Sequence, residues 1–180
     1  MTKDQLLNVI IPWKFGKGKP RNALKPLLQS NTESDVITAS TCAFKFAELS
    51  ITSSNQNDND SSNQYIQKAI KSLCQLSGVG PATASAVLSA YCPQSFAFMD
   101  DEVIECLYEA KRGYTLKIYM EVNDRCLEIA EQLNEVSSSS SSGDDKSDWT
   151  PADVAKALWT VATMSARSDE GGLAKVFRLV

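Results

Sequence analysis

Apolar residues recur along this chain at spacings of three and four, which is the period of an amphipathic helix. The pattern covers eight segments, with boundaries near 4–11, 22–29, 34–49, 65–75, 81–91, 100–111, 115–135 and 151–165. Pro12 predicts a break after the first segment, and Gly113 predicts a stop after the sixth. No segment alternates convincingly between apolar and polar residues as a strand would. The sequence therefore predicts an all-α fold, with a single helical domain over residues 1–180.

Two polar segments interrupt the helical pattern. Residues 52–64 contain threonine, serine, asparagine, glutamine and aspartate only, and residues 137–148 begin with six serines. Segments of this composition have no apolar side chains with which to join a core. Both are predicted to be disordered polar insertions within the one domain.

The chain has no histidine, and this absence removes several kinds of chemistry at once. Histidine general bases, serine–histidine and cysteine–histidine nucleophile pairs and histidine-ligated metals are all excluded. Any catalysis must use carboxylates, lysines, tyrosines or thiols. No stretch approaches the run of apolar residues that spans a bilayer, so the sequence predicts no membrane partner.

The cysteines indicate a reducing compartment. They are odd in number and irregular in spacing, at Cys42, Cys74, Cys92, Cys106 and Cys126. None forms the paired C-x-x-C pattern of a zinc knuckle, so no metal site is predicted. Four fall in apolar helical patterns, where free cysteine packs as a small hydrophobic residue. They predict reduced thiols in a nuclear or cytoplasmic protein.

Charge is distributed unevenly along the chain. The formal net charge of −4 argues against a nucleic-acid binder, but residues 1–30 hold six cationic residues against one acidic residue. Within them, residues 14–25 contain no acid, and Trp13 and Phe15 lie among the cations. Such a segment could follow a phosphate backbone while an aromatic ring stacks on a base. It could equally be a solvated basic helix end with Trp13 packed in the core.

Residues 73–91 form the most informative stretch of the sequence. An apolar helical run ends at Leu76, turns through Gly78-Val79-Gly80 and restarts at Pro81. Glycine permits a tight turn with positive φ and close backbone approach, and proline suits the first position of a helix. The free N–H groups of the turn and of the new helix would then point the same way. This arrangement predicts an anion site, for which phosphate is the natural ligand.

The motif Leu-x-Gly-Val-Gly-Pro-Ala-Thr-Ala resembles the helix-hairpin-helix motif of DNA-binding proteins, here covering residues 65–91. The downstream segment Phe98-Met99-Asp100-Asp101-Glu102-Val103 is similar to the loop that holds a catalytic aspartate in DNA glycosylases of the endonuclease III superfamily. The opening segment, with Trp13-Lys14, Gly18-Lys19 and Arg21, also resembles the start of some eukaryotic members. The resemblance implies a helical DNA glycosylase-like fold. Superfamily enzymes place further helices before the matched region, so it also implies an incomplete first lobe.

The resemblance further implies DNA as the partner, gripped at its phosphate backbone by the hairpin. The residues it assigns to DNA are Gly78, Val79, Gly80, Ala82 and Thr83, with Lys14, Lys17, Lys19 and Arg21 supplying positive charge. The function implied is base excision repair, in which an extruded base is cleaved from its sugar.

The catalytic carboxylate implied by the resemblance is Asp100 or Asp101. Residue counting places Asp100 at the catalytic position. Asp101, the next residue, is slightly preferred, because Asp100 is the more natural helix cap. Both residues are retained as candidates. Bifunctional members carry a lysine two residues after the second glycine of the hairpin, where this chain has Ala82. Any activity should therefore be monofunctional, without strand cleavage. Some relatives hold a four-cysteine iron–sulfur cluster near the C-terminus. No cysteine follows Cys126, so neither that cluster nor another cofactor is predicted.

Three interpretations remain open at this point. The chain is an active monofunctional glycosylase, or a protein of that fold that binds DNA without catalysis, or a helical module with protein partners. The hairpin could be a plain turn between two core helices, and the acidic loop could be only a helix N-terminus capped by Asp100. Tyr91, Phe96 and Phe98 could line a base pocket or pack in the core, and core packing is favoured for Phe96 and Phe98.

Overall fold

The computed structural model describes residues 1–17, 21–56, 58–108, 113–140 and 148–167. All regular structure in these ranges is helical, which confirms the predicted all-α class. The α-helices are α1 (Lys3–Gln5), α2 (Ile11–Lys17), α3 (Lys25–Ser30), α4 (Glu33–Asn55), α5 (Asn59–Leu73), α6 (Pro81–Tyr91), α7 (Asp101–Leu107), α8 (Leu116–Ser140) and α9 (Pro151–Arg167). None of the described helices combines the length and the apolar content that crossing a bilayer requires.

The predicted break at Pro12 is wrong. A π-helical turn over Leu6–Ile10 joins α1 to α2, and the Ile11 N–H donates to the Leu6 carbonyl at its end. Proline has no N–H, and its ring crowds the preceding turn of an ordinary α-helix. The wider π-turn accommodates that ring, so the helix continues to Lys17. Lys14 and Lys17 therefore lie on the same helix.

The prediction of a disordered insertion at 52–64 is also wrong for the described part of that segment. Residues 52–55 end α4 and residues 59–64 begin α5, with residue 57 outside the described ranges. The Asp58 side chain caps α5 by accepting from the Ser61 N–H at 3.1 Å. Ser62 is buried between the helices and donates to the Ser50 carbonyl at 3.1 Å. Small polar residues that satisfy caps and close helix contacts therefore outweigh the lack of apolar side chains here.

The prediction of a disordered insertion over 137–148 is wrong for its first four residues. Residues 137–140 continue α8, because adding residues to an existing helix costs much less than starting one. Residues 141–147 lie outside the described ranges. Beyond them, the Asn134 side chain donates to the Trp149 carbonyl at 3.0 Å and accepts from its N–H at 2.7 Å. Thr150 then caps α9 as predicted, by accepting from the Asp153 N–H at 3.2 Å.

Helix α6 lies in the core, since every residue from Thr83 to Ser89 is buried. The loop from α6 to α7 is fixed by the buried Asn123 of α8. The Asn123 side chain accepts from the Ala97 N–H at 2.7 Å and donates to the Ser95 carbonyl at 3.0 Å. Closer to Asp100, the Ser85 hydroxyl accepts from the Met99 N–H at 3.1 Å. The core thus holds the loop that leads into α7.

Candidate functional site

The two glycines of the hairpin differ in backbone conformation and in the space around them. Gly78 has a φ of +77°, and a Cβ at this position would lie 3.1 Å from Leu28 Cγ and 3.2 Å from the Leu28 backbone nitrogen. Gly78 is therefore required by both conformation and space. Gly80 has a φ of −105° and a ψ of −179°, which is extended backbone, and a Cβ there would meet nothing within 4 Å. At Gly80 the fold leaves open space where a side chain would stand.

Asn31 holds the hairpin from behind. Its side chain accepts from the Ser77 N–H at 2.8 Å and donates to the Ser77 carbonyl at 3.0 Å. It also donates to the Leu28 carbonyl at 3.0 Å, at the end of α3. Asn31 is only 6% exposed, so these bonds form away from bulk water. Its role was not predicted, because nothing local in the sequence connects it to a turn 46 positions away.

The hairpin leaves backbone donors unpaired. The Gly80 carbonyl accepts from the N–H groups of Thr83 and Ala84, both at 2.9 Å, and so starts α6. By contrast, the N–H groups of Gly78, Gly80 and Ala82 donate to no acceptor among the described residues. Two of these donors lie at the cap and in the first turn of an 11-residue helix, at the positive end of its dipole. This is the geometry of an anion site.

The hairpin borders a cavity of about 470 Å³. We call residues 77–83 the hairpin wall and residues 98–102 the acidic wall; α2 and Arg21 close further sides. All but one of the predicted site residues lie around this cavity, namely Lys14, Lys17, Arg21, Gly78, Val79, Gly80, Ala82, Thr83, Asp100 and Asp101. The exception, Lys19, lies outside the described residues. The volume falls within the range of small-molecule and nucleotide sites.

Asp100 is the N-cap of α7, as its sequence context predicted. Its Oδ1 accepts from the Val103 N–H at 3.0 Å, while its Oδ2 is buried without a hydrogen-bond partner in the described chain. Burial raises the pKa of Asp100 to about 7, and the nearby charges of Glu102 and Asp101 act in the same direction. The Val103 N–H and Lys17 partly oppose this rise. Near neutral pH the carboxyl group is therefore divided between its two protonation states.

Asp101 has a different environment from Asp100. Its Oδ1 accepts a hydrogen bond from the Tyr114 hydroxyl. The Arg21 guanidinium lies 4.7 Å above the Tyr114 ring, so the tyrosine links Arg21 to the acidic wall. Glu102, which also borders the cavity, has a buried Oε2 with no partner among the described residues. Tyr114 was not predicted as a site residue, because it lies 13 positions after Asp101 in a stretch without a motif.

The two lysines of α2 have different surroundings. Lys17 Nζ lies over three aromatic rings, at 4.5 Å from the Trp159 centroid, 5.2 Å from that of Trp13 and 5.6 Å from that of Phe98. These are cation–π contacts, which hold the ammonium group against the rings. Lys14 is partly buried, and burial lowers the pKa of its ammonium, with Arg21 acting in the same direction. The carboxylates of Asp101 and Asp100 oppose that shift.

The aromatic residues singled out in the sequence separate into three environments. Phe96 is fully buried, as predicted, whereas Phe98 is 7% exposed and borders the cavity. Trp13 packs on Phe98 at 5.3 Å between centroids yet remains 43% exposed. Tyr91 does not border the cavity, because its ring stacks on Phe44 and its hydroxyl donates to Glu48 at 2.7 Å. Of Tyr91, Phe96 and Phe98, only Phe98 therefore lines the site.

Comparisons of the chain with models of protein families, with curated proteins and with solved structures found no match.

Proposed function

We propose that this chain binds DNA through the hairpin wall and cleaves the N-glycosidic bond of a nucleotide held in the cavity, as a monofunctional DNA glycosylase. The observation that carries the proposal is the pairing of opposite unsatisfied groups around one cavity. The hairpin wall has three unpaired N–H donors, and the acidic wall has two buried carboxylate oxygens without a partner among the described residues. A nucleotide matches both walls. Its phosphate can accept hydrogen bonds from the N–H groups of the hairpin wall, and its sugar becomes cationic on cleavage, which the carboxylates of the acidic wall can stabilise.

The hairpin wall is suited to a DNA phosphate for three reasons. The N–H groups of Gly80 and Ala82 lie at the positive end of the α6 dipole. The open space at Gly80 lets a phosphate oxygen approach the backbone closely. Lys17 and Arg21 border the same cavity and add positive charge without reading sequence. Binding through so few cations should be modest and sensitive to salt.

The cavity has the mixed lining that a flipped base requires. Phe15, Leu24, Phe98 and Met99 supply apolar surface, and Thr83 and the acidic wall supply polar groups. Enzymes that act on bases extrude them from the stack into such pockets and hold them by stacking and hydrogen bonds. The arrangement supports a nucleotide as the ligand.

Asp100 is the carboxylate best placed for the reaction. Cleavage of a glycosidic bond passes through a transition state with positive charge on the sugar, which an ionised carboxylate stabilises. Asp100 Oδ2 is buried and has no hydrogen-bond partner in the described chain, whereas Asp101 Oδ1 accepts a hydrogen bond from the Tyr114 hydroxyl. The hydrogen bond from the Val103 N–H fixes the Asp100 carboxylate at the N-terminus of α7. Asp100 would stabilise the sugar cation or activate the attacking water.

The second candidate function is DNA binding without catalysis. Asp100 and Glu102 both border the cavity, each has a buried oxygen without a partner among the described residues, and Glu102 raises the pKa of Asp100. A protonated Asp100 would leave the hairpin able to bind phosphate but remove the charge that stabilises the sugar cation. This candidate predicts binding to the same DNA with no base released.

A binding experiment tests the hairpin, and an excision experiment separates the two candidates. Gly80→Glu should abolish binding to a fluorescent duplex at low salt, because its carboxylate would occupy the phosphate position. Gln64→Glu, which adds the same charge at an exposed site on α5 outside the cavity, should bind like wild type. Undiminished binding by Gly80→Glu, at unchanged helical content, would contradict the proposal. A panel of damaged and mismatched duplexes, developed with hot alkali, then shows whether wild type releases a base.

A further inference from the structure

Three aromatic rings face the side-chain nitrogen of Lys17. The nitrogen lies 4.5 Å from the ring centroid of Trp159, 5.2 Å from that of Trp13 and 5.6 Å from that of Phe98. The rings of Trp13 and Phe98 also contact each other, with centroids 5.3 Å apart and planes inclined at 37°. Rings that lie this close to one cation attract it through their negative faces. We call Trp13, Phe98 and Trp159 the aromatic cage.

The aromatic cage is assembled from three parts of the chain and lies partly at the surface. Trp13 and Lys17 are one turn apart on α2, so they share a helix face. Phe98 lies in the loop before α7, and Trp159 lies on α9. Phe98 is only 7% exposed, whereas Trp13 remains 43% exposed. Because Lys17 has a flexible aliphatic stem, its ammonium group can leave the rings by a change of rotamer while α2 stays in place.

The chemistry of the aromatic cage suits a methylated ammonium better than the lysine that occupies it. A primary ammonium is strongly hydrated, and its N–H groups require acceptors. Lys17 Nζ forms no hydrogen bond or ion pair with any described residue, so within that part of the chain only ring faces contact it. A trimethylated ammonium keeps the positive charge but has no N–H group, and it therefore needs no acceptor. Aromatic cages are the sites that recognise such groups.

We propose that the aromatic cage binds a trimethylated lysine of a partner polypeptide, and that Lys17 occupies the cage in the absence of that partner. The present occupant favours a lysine-based ligand, because it shows that a lysine stem brings its nitrogen to all three rings. The charge of Lys17 also lowers the pKa of Asp100, so a carboxyl group lies close enough to attract the bound cation. This inference does not depend on the proposed binding of DNA.

The test compares two synthetic peptides that differ only in one side chain, which is trimethyllysine in one and lysine in the other. Trp13 and Trp159 belong to the cage, so tryptophan fluorescence reports its occupancy, and calorimetric titration gives the affinity. Wild type should prefer the trimethylated peptide by about tenfold or more. Lys17→Ala removes the internal competitor and should bind that peptide about tenfold more tightly than wild type. Lys25→Ala removes the same charge from an exposed position on α3 and should bind like wild type.

A second pair of variants tests the rings themselves. Trp13→Ala, added to Lys17→Ala, removes one ring of the cage and should weaken binding of the trimethylated peptide by about tenfold or more. Trp149→Ala, added to Lys17→Ala, removes a tryptophan of similar exposure, 39%, that does not contact Lys17, and should leave the affinity unchanged. Circular dichroism should show equal helical content in both variants, because each removed side chain is largely exposed.

Several results would overturn the inference. One is equal affinity of wild type and Lys17→Ala for the two peptides. Another is binding of the trimethylated peptide that Lys17→Ala does not strengthen, or that persists without Trp13. Tighter binding to phosphatidylcholine vesicles than to the trimethylated peptide would make the ligand a lipid headgroup instead. None of these measurements contains DNA, so their failure leaves the proposed function intact, and a chain that binds no DNA could still bind the trimethylated peptide.

Discussion

The hairpin wall and the acidic wall are both held from behind by a buried asparagine, yet they leave opposite groups unpaired. Asn31 fixes Ser77, and Asn123 fixes Ser95 and Ala97. In front of these anchors, and among the described residues, the hairpin wall has unpaired N–H donors and the acidic wall has unpaired carboxylate oxygens. Because both walls are anchored by buried hydrogen bonds, a loosely held backbone does not explain the unpaired N–H groups or the unpaired carboxylate oxygens. N–H donors on one wall and carboxylate oxygens on the other would suit the proposed ligand, a nucleotide with an anionic phosphate and a sugar that becomes cationic on cleavage.

The largest expected effect concerns the acidic wall. Asp100→Asn should lower base excision by about 10²- to 10³-fold, because the charge it removes acts mainly in the transition state. DNA affinity should remain near that of wild type, since asparagine also caps a helix well and the hairpin wall is unchanged. Single-turnover excision and fluorescence anisotropy measure the two quantities. Asp101→Asn is the control and should have the smaller effect. The reverse ranking would transfer the catalytic assignment to Asp101.

The same aspartate should leave a signature in stability against pH. An aspartate in the unfolded chain has a pKa near 3.9, whereas the pKa of folded Asp100 is about 7. Between about pH 4 and pH 7 the folded state therefore binds more protons, and its stability falls as pH rises. Asp100→Asn does not show this decrease. Its free energy of unfolding relative to wild type should rise by on the order of 2–4 kcal/mol from pH 4 to pH 8. Urea denaturation at several pH values measures the difference.

Asp35 provides a control of opposite sign for that experiment. Its exposed carboxylate accepts from the Thr32 hydroxyl and backbone N–H, which lower the pKa of Asp35. The stabilisation it gives is present above its unfolded pKa and is lost as pH falls through its folded pKa. Asp35→Asn should therefore be destabilised more at pH 7 than at pH 3. A wild-type chain that keeps its stability relative to Asp100→Asn between pH 4 and pH 8 would show that Asp100 is not desolvated.

The glycines of the hairpin wall separate folding from binding. Gly78→Ala should lower the free energy of unfolding by about 1–3 kcal/mol, because it places a Cβ at positive φ and against Leu28. Gly80→Ala should change stability by less than about 0.5 kcal/mol but weaken DNA binding, since its methyl group enters the space beside the unpaired N–H. Denaturation and anisotropy on the same two proteins test the contrast. Equal binding by wild type and Gly80→Ala would remove the reason for a glycine there.

The parts of the molecule that were predicted correctly depend on local signals. The all-helical class follows from apolar spacing, and the cap at Asp100 follows from a short polar run before an apolar one. The helices at 52–64 were missed, because composition alone does not include the caps and the contact between Ser62 and Ser50.

The anchors of the cavity could not be predicted, because they join residues far apart in the chain. Asn31 bonds to Ser77, 46 positions later, and Asn123 bonds to Ala97, 26 positions earlier. No periodicity marks such pairs. The different environments of Lys14 and Lys17 have the same cause, because Lys14 lies near Arg21 and the acidic wall, whereas Lys17 lies over the ring of Trp159 in α9.

The smallest expected effect concerns the cations beside the hairpin wall. Lys17→Gln combined with Arg21→Gln should weaken binding to every DNA sequence about equally, by roughly tenfold at low salt, because phosphate contacts carry no sequence information. The slope of log affinity against log salt should flatten by about 0.9 for each phosphate that the variant no longer neutralises. Lys45→Gln combined with Lys117→Gln removes the same charge from exposed positions on α4 and α8, and should leave the slope unchanged. If both pairs flattened the slope equally, the cations would act through net charge alone. The hairpin wall would then bind its phosphate without specific help from Lys17 and Arg21.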